Sequence, residues 1–196
     1  KKNKIIRCLV NWAMRGGEEF RDEKKLTLLF GVKLFFARLL VLNAWRKALS
    51  SKIRYIIVGA GALRPEIARL FSAAGVMTLS GYGMTEASPF IAVNRPHMKK
   101  FGSVGLPVPG VEIKLVDVNE NGEGEILVKG PNITKGYFNR PELNHEAFTP
   151  DGWFRTGDLG KFISTRYLSI TGRKKDIFKT SSGIYVVPQE LELLLN

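Results

Sequence analysis

Residues 53–86, "IRYIIVGAGALRPEIARLFSAAGVMTLSGYGMTE", change character several times within a short span. Ile53 to Val58 is a β-branched and aromatic run that ends in glycine, which reads as a buried strand. Arg64-Pro65-Glu66 opens a helix, since proline is well tolerated in a first turn. That helix is expected to run to Ala74 and stop at Gly75, with a second short strand over Val76 to Leu79. Strand, helix, strand predicts a parallel α/β unit with functional loops at its strand ends.

Upstream, residues 1 to about 50 read as helices, because apolar residues recur at three- and four-residue spacing, as in Leu26, Leu29, Phe30 and Leu34. Gly16-Gly17 and Gly31 read as breaks. Leu26 to Leu42 is the longest apolar stretch, interrupted by Lys33 and Arg38, and its stripe favours a core role. Downstream of about Arg95 the period shortens. "VEIKLVDVNENGEGEILVKG" alternates apolar and polar residues on both sides of Asn119 to Gly124, a hairpin with a polar loop. Prolines 107, 109, 131, 141 and 150 punctuate this part, and helical periodicity is sparse. "YLSITGRKKDIFKTSSGIYVVP" reads as further strands with turns. The expectation is a small antiparallel β-subdomain over residues 96–172.

An apolar content of 44% makes a real core available. The single cysteine, Cys8, excludes an internal disulfide and fits a reducing compartment. The net charge of +12 is uneven: residues 1–54 hold 14 Lys and Arg against 4 Asp and Glu. Solvated helix faces, peripheral contact with an anionic membrane and nucleic acid would each account for it. No zinc pattern or RNA-binding aromatic signature accompanies the charge, so nucleic acid is not expected.

"VGAGALRP" fails the dinucleotide fingerprint, because its sixth position is Arg64 and no acid follows at the required distance. Gly59 and Gly61 still mark a tight turn where backbone can approach a flat ligand. In "GYGMTE", Gly81 and Gly83 expose amides and Tyr82 offers a ring to a base and a hydroxyl to a partner. Thr85 can donate to a phosphate oxygen, and Glu86 can hold a hard cation such as Mg²⁺ beside phosphates. A plain turn explains the same six residues equally well. In "GWFRTGDLG", Asp158 lies between glycines in a turn, where it can accept both hydroxyls of a ribose or cap its own backbone. Trp153 and Phe154 read as core. In "TGRKKDIFKTSSG", Arg173 can reach phosphate or ribose oxygens in fork geometry. His97 and His145 stand alone, without a ligand or triad pattern.

Taken in order, "GYGMTE", "GSVGLPVPGVEIKLVD", "GWFRTGDLG" and "GRKKDIFKTSSGIYVVPQELE" resemble the AMP-forming adenylate ligases: acyl-CoA synthetases, luciferases and peptide-synthetase adenylation domains. The resemblance runs from about Ile53 to the end and looks most like the long-chain fatty acyl-CoA synthetases. It implies an α/β fold: the end of a parallel α/β subdomain, a small antiparallel β-subdomain, and the first strands of a C-terminal α+β domain. The boundaries implied are 1–95, 96–172 and 173–196.

The resemblance also implies an ATP-dependent fatty acid–CoA ligase that forms acyl-AMP and then acyl-CoA, with fatty acid, ATP and CoA as substrates and Mg²⁺ as the cation. Tyr82 would stack on adenine, while Gly61 and Ala62 would line the wall shared by adenine and acyl chain. Gly81, Gly83 and Met84 belong to the same nucleotide-binding stretch. Thr85 would contact the α-phosphate, Glu86 would hold Mg²⁺, and Asp158 would bind the ribose hydroxyls with Arg173 close by. Lys175 matches a hinge position, and Gly183 belongs to a loop that meets CoA. A cytoplasmic enzyme is implied, with peripheral membrane contact through the basic N-terminal region as an open possibility.

Three departures stand beside these matches. The family's upstream phosphate loop, a Ser/Thr/Gly-rich run ending in Pro-Lys, has no counterpart here, nor does its adenylation lysine beyond the hinge. Ser182 stands where close relatives often have glycine. This stretch alone is therefore expected to have little or no turnover, which fatty-acid-dependent ATP–pyrophosphate exchange would test. A non-catalytic adenine-nucleotide-binding module is the alternative reading.

Overall fold

The computed structural model describes residues 2–20, 27–50, 52–59, 61, 63–176, 178–179 and 185–186. Its chain divides into two compact units, one of residues 1–80 with 95–102, the other of residues 81–94 with 103–196. The fold is mixed α/β, with parallel pairing in the first unit and antiparallel sheets in the second.

The first unit opens with α1 (Lys2–Glu18), followed by α2 (Leu28–Ala37), a π-helical turn (Arg38–Leu42) and α3 (Asn43–Leu49). Gly16-Gly17 and Gly31 are not breaks, since the helices run through them. Gly17 is tolerated because its bare Cα lets the Leu70 side chain close onto α1, where an added Cβ would meet Leu70 Cδ1 at 2.5 Å. The stripe 34, 37, 41, 42 is buried with Ala13, Leu70 and Ala73, forming the unit's core.

The opposite stripe of the same helical run, including Leu28, Leu29, Val32 and Phe35, is exposed, so only half of the expected core role holds. By length and composition alone, Leu28–Leu49 is long and apolar enough to cross a membrane. The two charges that interrupt residues 26–42 are engaged within the unit: Lys33 Nζ pairs with Glu19 Oε2 at 2.8 Å, and Arg38 Nε donates to the Ala73 carbonyl at 2.6 Å.

The strand–helix–strand expectation is met by β1 (Tyr55–Val58), α4 (Pro65–Ala73) and β2 (Met77–Gly83). β1 and β2 pair in parallel from Tyr55↔Met77 to Val58↔Ser80. Pro65 sits in the first turn of α4, and Gly75 ends it at φ +82°, a left-handed position that favours glycine. β1 is not the buried strand its composition implied: Ile57 is 65% exposed, because β2 is its sole sheet neighbour among the described residues.

The second unit starts within β2. Gly81–Gly83 pair antiparallel with β3 (Phe90–Val93), which pairs with β4 (Leu106–Pro107). A four-stranded antiparallel sheet follows in the order β5 (Glu112–Val116), β6 (Gly124–Lys129), β7 (Phe154–Ile163), β8 (Tyr167–Arg173). The expected hairpin joins β5 to β6, and Asn119 Oδ1 accepts from the Asn121 and Glu123 N–H groups to close its loop. Between β6 and β7 lies α5 (Pro141–Ala147), a short helix that sparse periodicity did not reveal. Past β8 come a 3₁₀ turn (Lys174–Asp176) and the paired dipeptides β9 (Phe178–Lys179) and β10 (Tyr185–Val186). Ile91, Ile126, Val128, Phe154 and Leu168 fill the core of this unit. Phe154 is core as expected, whereas Trp153 is only half-buried and carries Lys114 Nζ 4.3 Å from its ring centroid.

Candidate functional site

"GYG" is the end of β2, not a loop, and the strand runs past Leu79 because Gly81, Tyr82 and Gly83 find partners on β3. Gly83 is required there. A Cβ on it would collide with the Pro89 carbonyl, the same oxygen that accepts the Met84 N–H at 2.8 Å. Beyond it, Thr85–Ala87 form one 3₁₀ turn. Thr85 is exposed, and its hydroxyl has no hydrogen bond among the described residues.

Asp158 lies in β7 rather than in a turn, and the strand is bulged there. Glu125 faces Leu159 and Leu127 faces Arg155, so β7 spends residues 156–158 where β6 spends Ile126 alone. Gly157 supplies the required left-handed step at φ +72°. Thr156 Oγ1 donates to the Ile126 carbonyl at 2.8 Å and accepts the Asp158 N–H at 3.1 Å, which fixes the bulge.

The bulge brings three of the expected residues together. Tyr82 Oη donates to Asp158 Oδ2 at 2.6 Å, and Arg173 Nε, opposite Asp158 on β8, lies 3.3 Å from Oδ1. Burial, aided by the Asp158 charge, raises the Tyr82 phenol far above its ordinary value, so it stays a donor. Burial also raises the Asp158 carboxyl, offset by the Tyr82 hydrogen bond and the Arg173 charge. Two carboxylate oxygens accept about four hydrogen bonds, so lone pairs remain on Asp158 for a diol. Tyr82 is 9% exposed and packs in the core cluster, so little of it is open to a ligand.

Glu86 is partly buried, and its Oε1 accepts from Tyr137 Oη at 2.8 Å. No cation pairs with it among the described residues, and none of those residues form a cluster of His, Cys, Asp or Glu able to cage a metal. With its one carboxylate, Glu86 could add a single oxygen ligand to a hard cation held alongside phosphates. Lys175 is exposed on the 3₁₀ turn after β8. Gly61 lies in the first unit, with open space where a Cβ would stand. Ala62 and Gly183 fall outside the described residues.

Two further groups escaped the sequence reading. Glu125, 5% exposed, receives Lys174 Nζ at 2.7 Å and Arg155 Nη1 at 3.1 Å. The segment 132–137 bonds the turn around Glu86 through Asn132, Thr134 and Tyr137. Neither has a spacing signal, since both depend on partners 30 to 51 residues away.

A parallel strand pair leading into antiparallel sheets, with a tyrosine at the end of β2 bonded to a carboxylate on β7 that also pairs with a guanidinium on β8, has the fold of the AMP-forming ligase domains. The chain belongs to the AMP-binding enzyme family, which it matches over residues 18–138. It is 41% identical over 160 residues to long-chain-fatty-acid–CoA ligase 6 of Homo sapiens, covering 78% of this chain and 23% of that protein. It is likewise 41% identical over 150 residues to long-chain-fatty-acid–CoA ligase 1 of Schizosaccharomyces pombe, covering 72% of this chain and 22% of the relative. Among solved structures, O-succinylbenzoate coenzyme A synthetase from Bacillus subtilis in complex with ATP and magnesium ion superposes with a TM-score of 0.68 at 32% identity. That match covers 82% of this chain and 34% of the other. The same synthetase with its acyl-adenylate intermediate gives a TM-score of 0.68 at 32% identity, over 79% of this chain and 33% of the other. The chain thus spans about a quarter of the length of the fatty-acid ligases it resembles.

Proposed function

We propose that this chain is the nucleotide-gripping part of an ATP-dependent long-chain fatty acid–CoA ligase. In the reaction, a fatty carboxylate oxygen attacks the α-phosphorus of ATP and pyrophosphate leaves. The thiolate of CoA then attacks the acyl carbon and AMP leaves. The observation that carries this reading is the convergence of Tyr82, Asp158 and Arg173, from three strands, on one carboxylate.

Asp158 accepts the ribose hydroxyls, and Tyr82 and Arg173 hold it in place from either oxygen. Tyr82 and the backbone of Gly81, Gly83 and Met84 face the adenine. Thr85 donates its hydroxyl to the α-phosphate. Glu86 supplies one oxygen to the cation, and Mg²⁺, when bound, offsets phosphate charge. Lys175, on the turn after β8, serves as a hinge position.

The test is an isothermal titration with AMP, comparing the parent with Asp158→Ala. Binding by the parent and a loss of about tenfold or more in the variant is the expected result, the size of a lost charge-assisted hydrogen bond. Equal affinity in the two would remove Asp158 from the site and the reading with it.

A further inference from the structure

The segment 132–137 staples the turn that carries Glu86. Asn132 Nδ2 donates to the Ala87 carbonyl at 2.6 Å and to the Phe90 carbonyl at 2.8 Å. The Thr134 N–H donates to the Glu86 carbonyl at 2.7 Å. These bonds fix backbone and would hold the turn by themselves. Tyr137 does something different: its hydroxyl goes to the Glu86 carboxylate, the one side chain of the turn with cation-binding chemistry. Tyr137 is itself clamped. Its N–H donates to Asn144 Oδ1 at 2.6 Å and its carbonyl accepts from Asn144 Nδ2 at 3.0 Å, so one α5 side chain grips both sides of the residue.

We propose that Tyr137, clamped by Asn144, is a positioning residue that fixes the Glu86 carboxylate in the orientation that takes the cation accompanying nucleotide phosphates. The inference rests on the reading of Glu86 given above. A glutamate has several rotatable bonds, and ordering it on metal binding costs entropy that a pre-formed hydrogen bond removes in advance. A phenol suits this task because it is a neutral donor. A lysine in its place would orient the carboxylate but cancel the charge that attracts the cation. The phenol occupies one lone pair of Oε1 and leaves the rest of the carboxylate for ligation.

The experiment measures ATP affinity by calorimetry with and without Mg²⁺, and metal-free AMP affinity, for the parent, Tyr137→Phe, Asn144→Ala and Glu86→Gln. The quantity read is the gain in ATP affinity that the metal confers. Tyr137→Phe should cut that gain by about tenfold, as loss of an outer hydrogen bond to a metal ligand does. Its AMP affinity should stay at the parental value. Asn144→Ala should move the gain in the same direction and carries the comparison if Tyr137→Phe does not fold. Glu86→Gln should abolish the gain. If Tyr137→Phe and Asn144→Ala keep the gain while Glu86→Gln loses it, the positioning role is wrong and the Glu86 reading stands. If Glu86→Gln keeps it, or the parent shows none, both are overturned. Equal losses of AMP and Mg²⁺–ATP affinity in Tyr137→Phe would reduce the strap to a staple of the fold and overturn the inference.

Discussion

Tyr82 Oη donates to Asp158 Oδ2 at 2.6 Å, joining the end of β2 to the bulge of β7 across 76 residues of sequence. The bond couples stability to ligand binding, because one carboxylate serves the core tyrosine and faces the proposed ribose. Tyr82→Phe keeps the ring and removes the donor. A hydrogen bond to a charged group contributes about 1.5–3 kcal/mol, so chemical denaturation should show a loss of that order. AMP affinity should fall as well. A variant with parental stability would mean that Arg173 alone satisfies the carboxylate.

Asp158 should make the protein less stable as pH rises. Burial is the largest influence on its carboxyl and raises it, and the Tyr82 and Arg173 contributions only partly offset this. A folded-state value above the unfolded one means that the folded chain binds the proton more tightly. The resulting stabilisation is fully present below the unfolded value of about 4 and is lost as pH rises through the folded value. In Asp158→Asn this titration is gone. The midpoint of the variant, measured against the parent, should therefore climb as pH rises above about 4. A difference that is flat or falls with pH would contradict the assignment.

Glu125 ties the segment after β8 to β6. It is 5% exposed and receives Lys174 at 2.7 Å and Arg155 at 3.1 Å. Both cations are about half exposed and can be solvated when released, so Glu125→Ala should cost about 1–2 kcal/mol rather than the full value of a buried pair. Local effects should be larger. Hydrogen exchange should accelerate across Lys174–Asp176, and trypsin should cut after Lys174 or Lys175 sooner than in the parent. Unchanged cleavage would show that β8 alone orders the turn.

Gly83 is a steric requirement, not a preference. Its Cα faces the Pro89 carbonyl, and a methyl group there would displace the oxygen that accepts the Met84 N–H. Gly83→Ala should destabilise by about 1–3 kcal/mol or more, in the range of overpacked sites. Serine at the same position should do the same. Thermal melts of both variants would check this, and a parental midpoint would show that the turn relaxes freely.

Much of the fold was legible because its signals are local. Periods of two and of three to four residues gave the β5–β6 hairpin and the helices, and Pro65 and Gly75 bracketed α4. The candidate side chains for a nucleotide site were also readable by type, since a tyrosine, acids and an arginine beside glycines carry their chemistry with them. Glycine as a break was misleading at 16, 17 and 31, where the helices run on, and at Gly17 the close approach of Leu70 offsets the propensity cost.

Sequence by itself therefore determined most of the elements, α5 excepted, and the candidate side chains. Tertiary structure alone decided that Asp158 sits on a bulged strand opposite Arg173 and under Tyr82, and that Tyr137 reaches Glu86. The reason is physical. Periodicity records which face of an element meets the core, but strand register and bulge position are set by pairing with distant residues, and a shift of one residue would turn Asp158 to the other face of the sheet.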